Sequence, residues 1–292
     1  MQTLMQQIIN GLSLGSIYAL LALGYTMVYG IIKLINFAQG DIYMLGAFWG
    51  YYAINYLHFS FVPALLSAMV MAALSGVLIE YLAYRPLRNS PRIAALITAI
   101  GVSFFLENGM SFLFGANAWN FPQVITTKTY QILGVDVSNV QLLILFTSLV
   151  LMVMLQFIIK QTTMGKAVRA VAVDPEAAQL VGINPDHVIS FTFALGSALA
   201  GAAGVMIGLY YNSIDPLMGM VPGIKAFVAA VVGGIGSVPG AAVGGFLIGL
   251  LETGVQAVGL SAYKDAAVYL VLIIMLVVLP AGLFGKRQRE KV

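Results

Sequence analysis

The chain has no cysteine, only two histidines and very little charge: Asp, Glu, Lys and Arg make up 9% of its 292 residues. Each shortage excludes something. Without cysteine there is no disulfide, no thiolate ligand and no thiol nucleophile. Two histidines with no cysteine do not furnish a zinc site. Soluble domains carry about 25% charged residues, so 9% charged and 60% hydrophobic residues exclude a water-soluble protein. No basic run interleaves with aromatics, so no nucleic-acid surface is expected. There is no P-loop either. The nearest fragment to Gly-x4-Gly-Lys-Ser/Thr is Gly165-Lys166-Ala167, which lacks the upstream glycine and the hydroxyl. If ATP drives this chain, another protein hydrolyses it. The N-terminal Met-Gln-Thr-Leu-Met-Gln-Gln lacks the basic region of a cleaved signal peptide, so the first apolar run reads as a permanent span.

What the chain does have is long apolar runs, at 7–30, 40–57, 61–84, 92–114, 140–160, 187–211, 222–235, 240–258 and 264–285. At roughly 20 residues per crossing, these amount to eight or nine membrane segments and leave no room for a soluble domain. The expected fold is an all-α polytopic helix bundle forming one transmembrane domain over residues 1–292. Ten of the fourteen basic residues fall in three places: Arg85, Arg88 and Arg92; Lys160, Lys166 and Arg169; and the tail Lys286, Arg287, Arg289 and Lys291. Basic residues near span ends mark the cytoplasmic side. The 115–139 loop, with only Lys128, and the 212–221 loop, with none, then lie outside, and counting back places the N-terminus outside. Small-xxx-small pairs (Gly11/Gly15, Gly46/Gly50, Gly204/Gly208, Gly240/Gly244, Gly245/Gly249) predict close helix approach.

The segment from Lys225 to Glu252 is apolar enough for lipid, yet it is interrupted at Gly233, Gly234, Gly236, Pro239 and Gly240. In a membrane, non-helical backbone is tolerated only where protein buries it or a polar cavity receives it. Interrupted apolar segments therefore point to a transport pathway. Gly233–Gly240 is expected to be a turn or break facing protein or that pathway, with Lys225 and Glu252 flanking two helices folded back on each other. A faint echo, Ile32-Lys33 before one glycine-punctuated segment and Ile224-Lys225 before another, hints at an internal repeat.

Ionisable groups at membrane depth are costly and are paired or functional. Here they are Lys33, Asp41, Glu80, Glu107, Lys225 and Glu252. Glu80 lies near Arg85 and a span end. Glu107 is the most deeply placed and needs a partner, with Lys33 and Lys225 the available cations. It then either locks helices together or lines a path.

The cytoplasmic joint 161–186 has the most legible local structure. Asp174 is a helix N-cap, Pro175 suits the first helical position and Glu176 suits the positive first turn. Ala177, Ala178, Gln179, Leu180 and Val181 continue the helix, and Gly182 stops it. Asn184-Pro185-Asp186 then opens the next helix, and Gly165 to Val173 forms a further short one. Exposed alanine and leucine on such a helix need a cover, either the bundle itself or a docked cytoplasmic partner.

Glu176-Ala-Ala-x-x-x-Gly182 resembles the coupling loop of bacterial ABC importer permeases. Asn36-Phe-Ala-Gln-Gly-Asp-Ile-Tyr-Met-Leu-Gly-Ala-Phe48 and the Lys225–Glu252 segment resemble the signature segments of the branched-chain amino acid permease family. Three blocks in the expected order, from Gly11-Leu-Ser-Leu-Gly-Ser-Ile-Tyr-Ala-Leu to the basic tail, extend the resemblance over essentially the whole chain. The resemblance implies a bacterial inner-membrane permease that performs no chemistry on its substrate and binds no cofactor. Its implied partners are a second homologous permease, two cytoplasmic ATPases carrying ATP and magnesium, and a periplasmic or lipid-anchored binding protein. Asp174, Pro175, Glu176, Ala177, Ala178 and Gly182 would form the ATPase-coupling site. The path candidates are Lys33, Asn36, Gln39, Asp41, Glu107, Lys225, Gly234 and Gly236; the amides of Asn36 and Gln39 can both donate to and accept from a zwitterion.

Other readings stay open at this level. Related permeases carry urea and amides. A self-sufficient secondary transporter or channel would also explain broken helices and buried charge, though not the framed cytoplasmic helix. Gly11-Leu-Ser13-Leu-Gly15 matches a hydrolase elbow. That elbow must follow a strand with a histidine in reach, whereas Ser13 sits in a membrane helix and His58 and His187 fall at span ends on opposite faces.

Overall fold

A computed structural model describes residues 2–88, 90–132 and 134–285. In chain order the elements are α1 (Gln2–Ile32), α2 (Gln39–Asn55), α3 (Phe61–Ile79), α4 (Arg92–Phe114), β1 (Trp119–Asn120), β2 (Thr129–Ile132), β3 (Val135–Ser138), α5 (Asn139–Gln161), α6 (Thr163–Val173), α7 (Pro175–Leu180), α8 (Pro185–Tyr211), β4 (Ser213–Ile214), α9 (Met220–Gly233), α10 (Val238–Ala257) and α11 (Lys264–Val278). α3 runs on through a π-helical turn, Glu80–Tyr84, and a tighter one, Arg85–Leu87. The strands form only two small antiparallel pairs, β1 with β4 and β2 with β3. The fold is therefore the all-α polytopic bundle read from the sequence.

Each of the nine apolar runs becomes a helix, but not every helix crosses. Among the described residues, seven are long and apolar enough to span: α1, α3, α4, α5, α8, α10 and α11. α2 has 17 residues and α9 has 14. At about 1.5 Å per residue the shorter falls well below the roughly 30 Å of a hydrocarbon core. Both are preceded by non-helical backbone that dips into the bundle. In the first dip Lys33 takes a left-handed φ of 54°, and Asn36 Oδ1 accepts the Ala38 amide at 3.1 Å. The second dip begins where Asn212, at φ 53°, ends α8. The N-termini of α2 and α9 meet inside the bundle, Gly40 lying against Gly219 and Gly223.

These contacts define an inverted repeat. α1 packs along α10 as α3 packs along α8, and α2 lies between α3 and α8 as α9 lies between α10 and α1. Exchanging α1, α2 and α3 for α8, α9 and α10 maps one set onto the other, with the chain direction reversed across the membrane. The sequence echo does not fall on this symmetry: Lys33 lies in the bend before α2, whereas Lys225 lies inside α9.

Glycine sets the spacing. A Cβ built on Gly46 would stand 2.3 Å from the Gly201 Cα, and one on Gly245 2.3 Å from the Ala19 Cα. The small-xxx-small pairs thus place backbone against backbone, where lipid offers no hydrophobic drive for helix association. Gly245→Val is expected to lower the thermal midpoint and folded yield of the purified protein sharply, because overpacking costs about 1–3 kcal/mol or more. Gly109→Ala, with nothing within 4 Å of the added Cβ, should match the wild type. Equal midpoints for all three proteins would contradict this packing.

The two faces are separated as the charges require. Gln6 exchanges hydrogen bonds with the Asp136 backbone at 2.8 and 2.9 Å, so the N-terminus and the 115–139 loop share one face. Arg85 and Arg88 pair with Asp186 at the start of α8, so the 85–88 turn and the 161–186 joint share the other. The basic tail, Lys286 to Lys291, lies outside the described residues. A single cysteine at position 128 should react with an impermeant maleimide only from the outside, and one at position 179 only from the cytoplasm. The reverse pattern would overturn the orientation.

Candidate translocation path and coupling surface

At the 161–186 joint, Thr162 Oγ1 accepts the Gly165 amide at 3.0 Å and starts α6. Asp174 Oδ1 accepts the amides of Glu176 and Ala177, each at 3.0 Å, and starts α7. Gly182 closes α7 at φ 86°, its amide bonding the Gln179 carbonyl at 3.0 Å. Asn184 Oδ1 then caps α8 through the Asp186 amide at 2.9 Å. The cap-and-stop pattern is as expected, with Val181 in the cap rather than the helix. One residue differs: Ala178 is buried against the bundle rather than presented outward. The outward face consists of Glu176 and Ala177 with Val173, Leu180 and Val181, which are 88, 89 and 76% exposed.

Sequence reasoning missed the anchor beneath this knob. Arg85 and Arg88 both bind Asp186, and Arg88 also binds Glu80. Glu80 is fully buried and accepts from Ser190 Oγ at 2.7 Å. The network ties the end of α3 to the first turn of α8, directly after α7. Asp186 read as a helix-start residue and Glu80 as an interface residue; only the fold brings them together. The signal available was two acids and two arginines at predicted span ends.

The path candidates divide into three groups. The first is spent on structure. Lys33 is exposed, its Nζ donating to the Gly30 carbonyl at 2.9 Å, so it is not a charge buried in the bundle. Tyr84 donates its hydroxyl to Asn36 Oδ1 at 2.9 Å, and Gln39 Nε2 donates to the Gly196 carbonyl at 2.9 Å near the middle of α8. These amides hold the dip before α2 and its entry angle, and are not free for a passing zwitterion. Gly234 and Gly236, at φ 103° and 93°, make the tight turn between α9 and α10. Pro239 does not break a helix there but sits in the first turn of α10, where no amide hydrogen is needed. The run expected to stay helical to 285 stops at Val278, because Leu279 precedes Pro280. The freed chain folds under the turn: the Leu283 and Phe284 amides bond the Val232 and Gly233 carbonyls at 2.9 and 3.0 Å. Gly233, Gly234 and Gly240 thus face protein, and the Val232 and Gly233 carbonyls are taken by the chain itself, whereas Gly236 and Pro239 at the tip of the turn are exposed, contrary to the expectation that the whole break is covered.

The second group is an ion cluster in the half of the bundle nearer the 212–219 loop. Lys225 Nζ lies 2.8 Å from Glu252 Oε1 and 2.6 Å from Asp265 Oδ1. Lys264 reaches the same Glu252 oxygen at 3.3 Å, and Tyr18 donates its hydroxyl to Oε2 at 2.8 Å. Lys225 and Glu252 are 3 and 1% exposed at the side chain. They bridge α9 and α10, the two helices folded back on each other, beside a cavity of about 360 Å³ that Tyr211, Ser213 and Asp215 also line.

The third group is Asp41 and Glu107. Neither expected cation reaches Glu107, since Lys225 is taken and Lys33 is exposed, its Nζ on the Gly30 carbonyl. Glu107 instead faces Asp41 across a second, smaller cavity where α2 and α9 meet. The hydrolase-like Ser13 is inert, donating to the Ile9 carbonyl at 3.0 Å within α1.

A polytopic inverted repeat with two half-helices, buried intramembrane charge and a capped knob on one face defines a membrane transport permease. The chain matches the family model described as "Branched-chain amino acid transport system / permease component" over residues 7–279. It is 41% identical over 300 residues to the high-affinity branched-chain amino acid transport system permease protein LivH of Salmonella typhimurium, covering 99% of this chain and 97% of that one. To the corresponding protein BraD of Pseudomonas aeruginosa it is 39% identical over 314 residues, covering 99 and 98%. A solved chain of PsaBC from Streptococcus pneumoniae in complex with Fab shares the fold, with a TM-score of 0.50 at 12% identity over 96% of this chain and 93% of that one. The chain belongs to the branched-chain amino acid transport system permease component family.

Proposed function

We propose that this chain forms part of the translocation path for leucine, isoleucine and valine in an ATP-binding-cassette importer of the bacterial inner membrane. A second homologous permease completes the path, two cytoplasmic ATPases drive it, and a separate binding protein delivers the substrate. The observation that carries this reading is the exposed cytoplasmic knob. Val173, Leu180 and Val181 stand in water with no cover among the described residues, and loops hold apolar side chains outward at a cost unless a partner buries them. The Arg85–Asp186–Arg88–Glu80 network gives that knob a stiff link to α3 and α8. ATPase closure would then rock the bundle as a rigid body.

The test of substrate class is uptake in a host lacking its own branched-chain transporters. Cells expressing this chain with its neighbouring transport genes should accumulate labelled leucine, and unlabelled isoleucine and valine should compete. Competition by urea or a short amide, with none by valine, would reassign the substrate.

A further inference from the structure

The cavity between the half-helices has features that the packing does not explain. It measures about 140 Å³ and lies where the first turn of α2 meets the first turn of α9. Asp41 and Glu107 both line it and are 2 and 7% exposed. Asp41 Oδ2 is buried with no donor seated on it among the described residues. Glu107 and Ser103 stand within reach of the same carboxyl. A buried polar atom without a partner costs free energy comparable to a lost hydrogen bond, and more when charged. Evolution keeps ionisable groups at this depth mainly where they have a task.

Charge counting says what the site lacks. Two helix N-termini converge on it, each equivalent to roughly +0.5 of an elementary charge. Two carboxylates oppose them, which leaves the site about one positive charge short. Lys225 is held by Glu252 and Asp265, and Lys33 is exposed, its Nζ on the Gly30 carbonyl. A cation from outside the chain, or a proton shared between the two carboxyls, supplies that charge. The rest of the wall is apolar and aromatic: Tyr25, Phe37, Ile100, Phe104 and Ile224. An apolar cavity of about 150 Å³ accommodates a six-carbon ring, so this one suits a small branched hydrocarbon. Ile100, Phe104 and Ile224 are exposed on the flank of the bundle, giving the cavity a mouth between α4 and α9.

We propose that Asp41 and Glu107 form a transient mid-membrane site for the α-ammonium group of the amino acid in transit, its carboxylate lying toward the first turn of α9 and its side chain on the apolar wall. The site rests on the import reading above and specifies which end of the substrate it holds. Ser103 orients the carboxyl pair. Asn36 and Gln39 set the half-helix that carries Asp41 and touch no substrate. The ion cluster at Lys225 belongs to a different cavity, nearer the 212–219 loop.

The test uses the complete importer, with its ATPases and binding protein, in proteoliposomes, with labelled leucine as the probe. Asp41→Asn and Glu107→Gln should each lower uptake by about tenfold or more, as loss of a hydrogen bond to a charged group predicts. ATP hydrolysis stimulated by the leucine-loaded binding protein should stay near wild type. Asp41→Glu should restore part of the uptake. In the vanadate-trapped complex, leucine retained by the wild type should be lost from Asp41→Asn. Wild-type uptake in both variants would overturn the site, as would a parallel loss of ATP hydrolysis, which marks a structural role. Unchanged leucine retention with slowed transport would also overturn it, since it points to a proton or metal cation between the carboxyls. If the wild type carries other amino acids and the variants lose them, the site stands while the branched-chain reading fails. If the wild type carries only solutes without an amino group, both fall.

Discussion

Leu180→Asp and Glu176→Lys are each expected to cut ATP-driven uptake by about tenfold or more, the size of a lost interface hot spot, while leaving membrane insertion intact. Leu180 is 89% exposed and makes no contribution to the bundle core, so an aspartate there costs the folded chain little. It would, however, place a charge in the middle of an apolar docking surface. Glu176 sits in the first turn of α7, where a negative charge suits the helix dipole and a positive one does not. Gly182→Val acts through the backbone, because a β-branched residue is strained at φ 86°. The measurement is co-purification of the ATPases with tagged permease, followed by uptake. Wild-type ATPase stoichiometry and uptake in all three variants would remove the knob from coupling.

The largest stability effect is expected at Lys225. Replacing it with methionine leaves Glu252, 1% exposed, with only the longer contact to Lys264 and the Tyr18 hydroxyl. Removing one partner of a buried ion pair costs about 3–5 kcal/mol, whereas replacing the whole pair costs far less. Lys225→Met should therefore lower the thermal midpoint of the detergent-purified protein strongly, and Lys225→Met with Glu252→Gln should recover much of the loss. The recovery is the informative part, since contacting residues are not additive. A double variant as unstable as the single one would mean that Glu252 was never held by Lys225.

The fold was legible where physics acts locally. Apolar runs gave nine helices because lipid forces every spanning segment to satisfy its own backbone. Asp174, Pro175 and Gly182 marked α7 because caps and stops are readable over three or four residues. The fold-back of α9 on α10 followed from turn glycines that were visible, but the pairing of Lys225 with Glu252 across it was not read, since Lys225 was offered to Glu107. What failed was long-range. Nothing near Glu107 indicates that its neighbour is Asp41 rather than a lysine, since the two are brought together by the packing of α4 against α2. Asn36 and Gln39 read as free amides because their partners, Tyr84 and Gly196, lie far along the chain. The inverted repeat left almost no sequence trace because it is a repeat of packing, with glycines at different positions doing the same spacing in each half. Ala178 read as exposed because a six-residue helix does not reveal which face rests on the bundle.

We propose that this chain is a passive path moved from its cytoplasmic face by separate ATPases. The most direct measurement is leucine accumulation in proteoliposomes containing the purified complex, with ATP supplied on the ATPase side and no ion or proton gradient. Accumulation should require ATP and both ATPases, and Leu180→Asp should abolish it. Accumulation by this chain without ATPases, driven by a sodium or proton gradient and indifferent to Leu180→Asp, would contradict it.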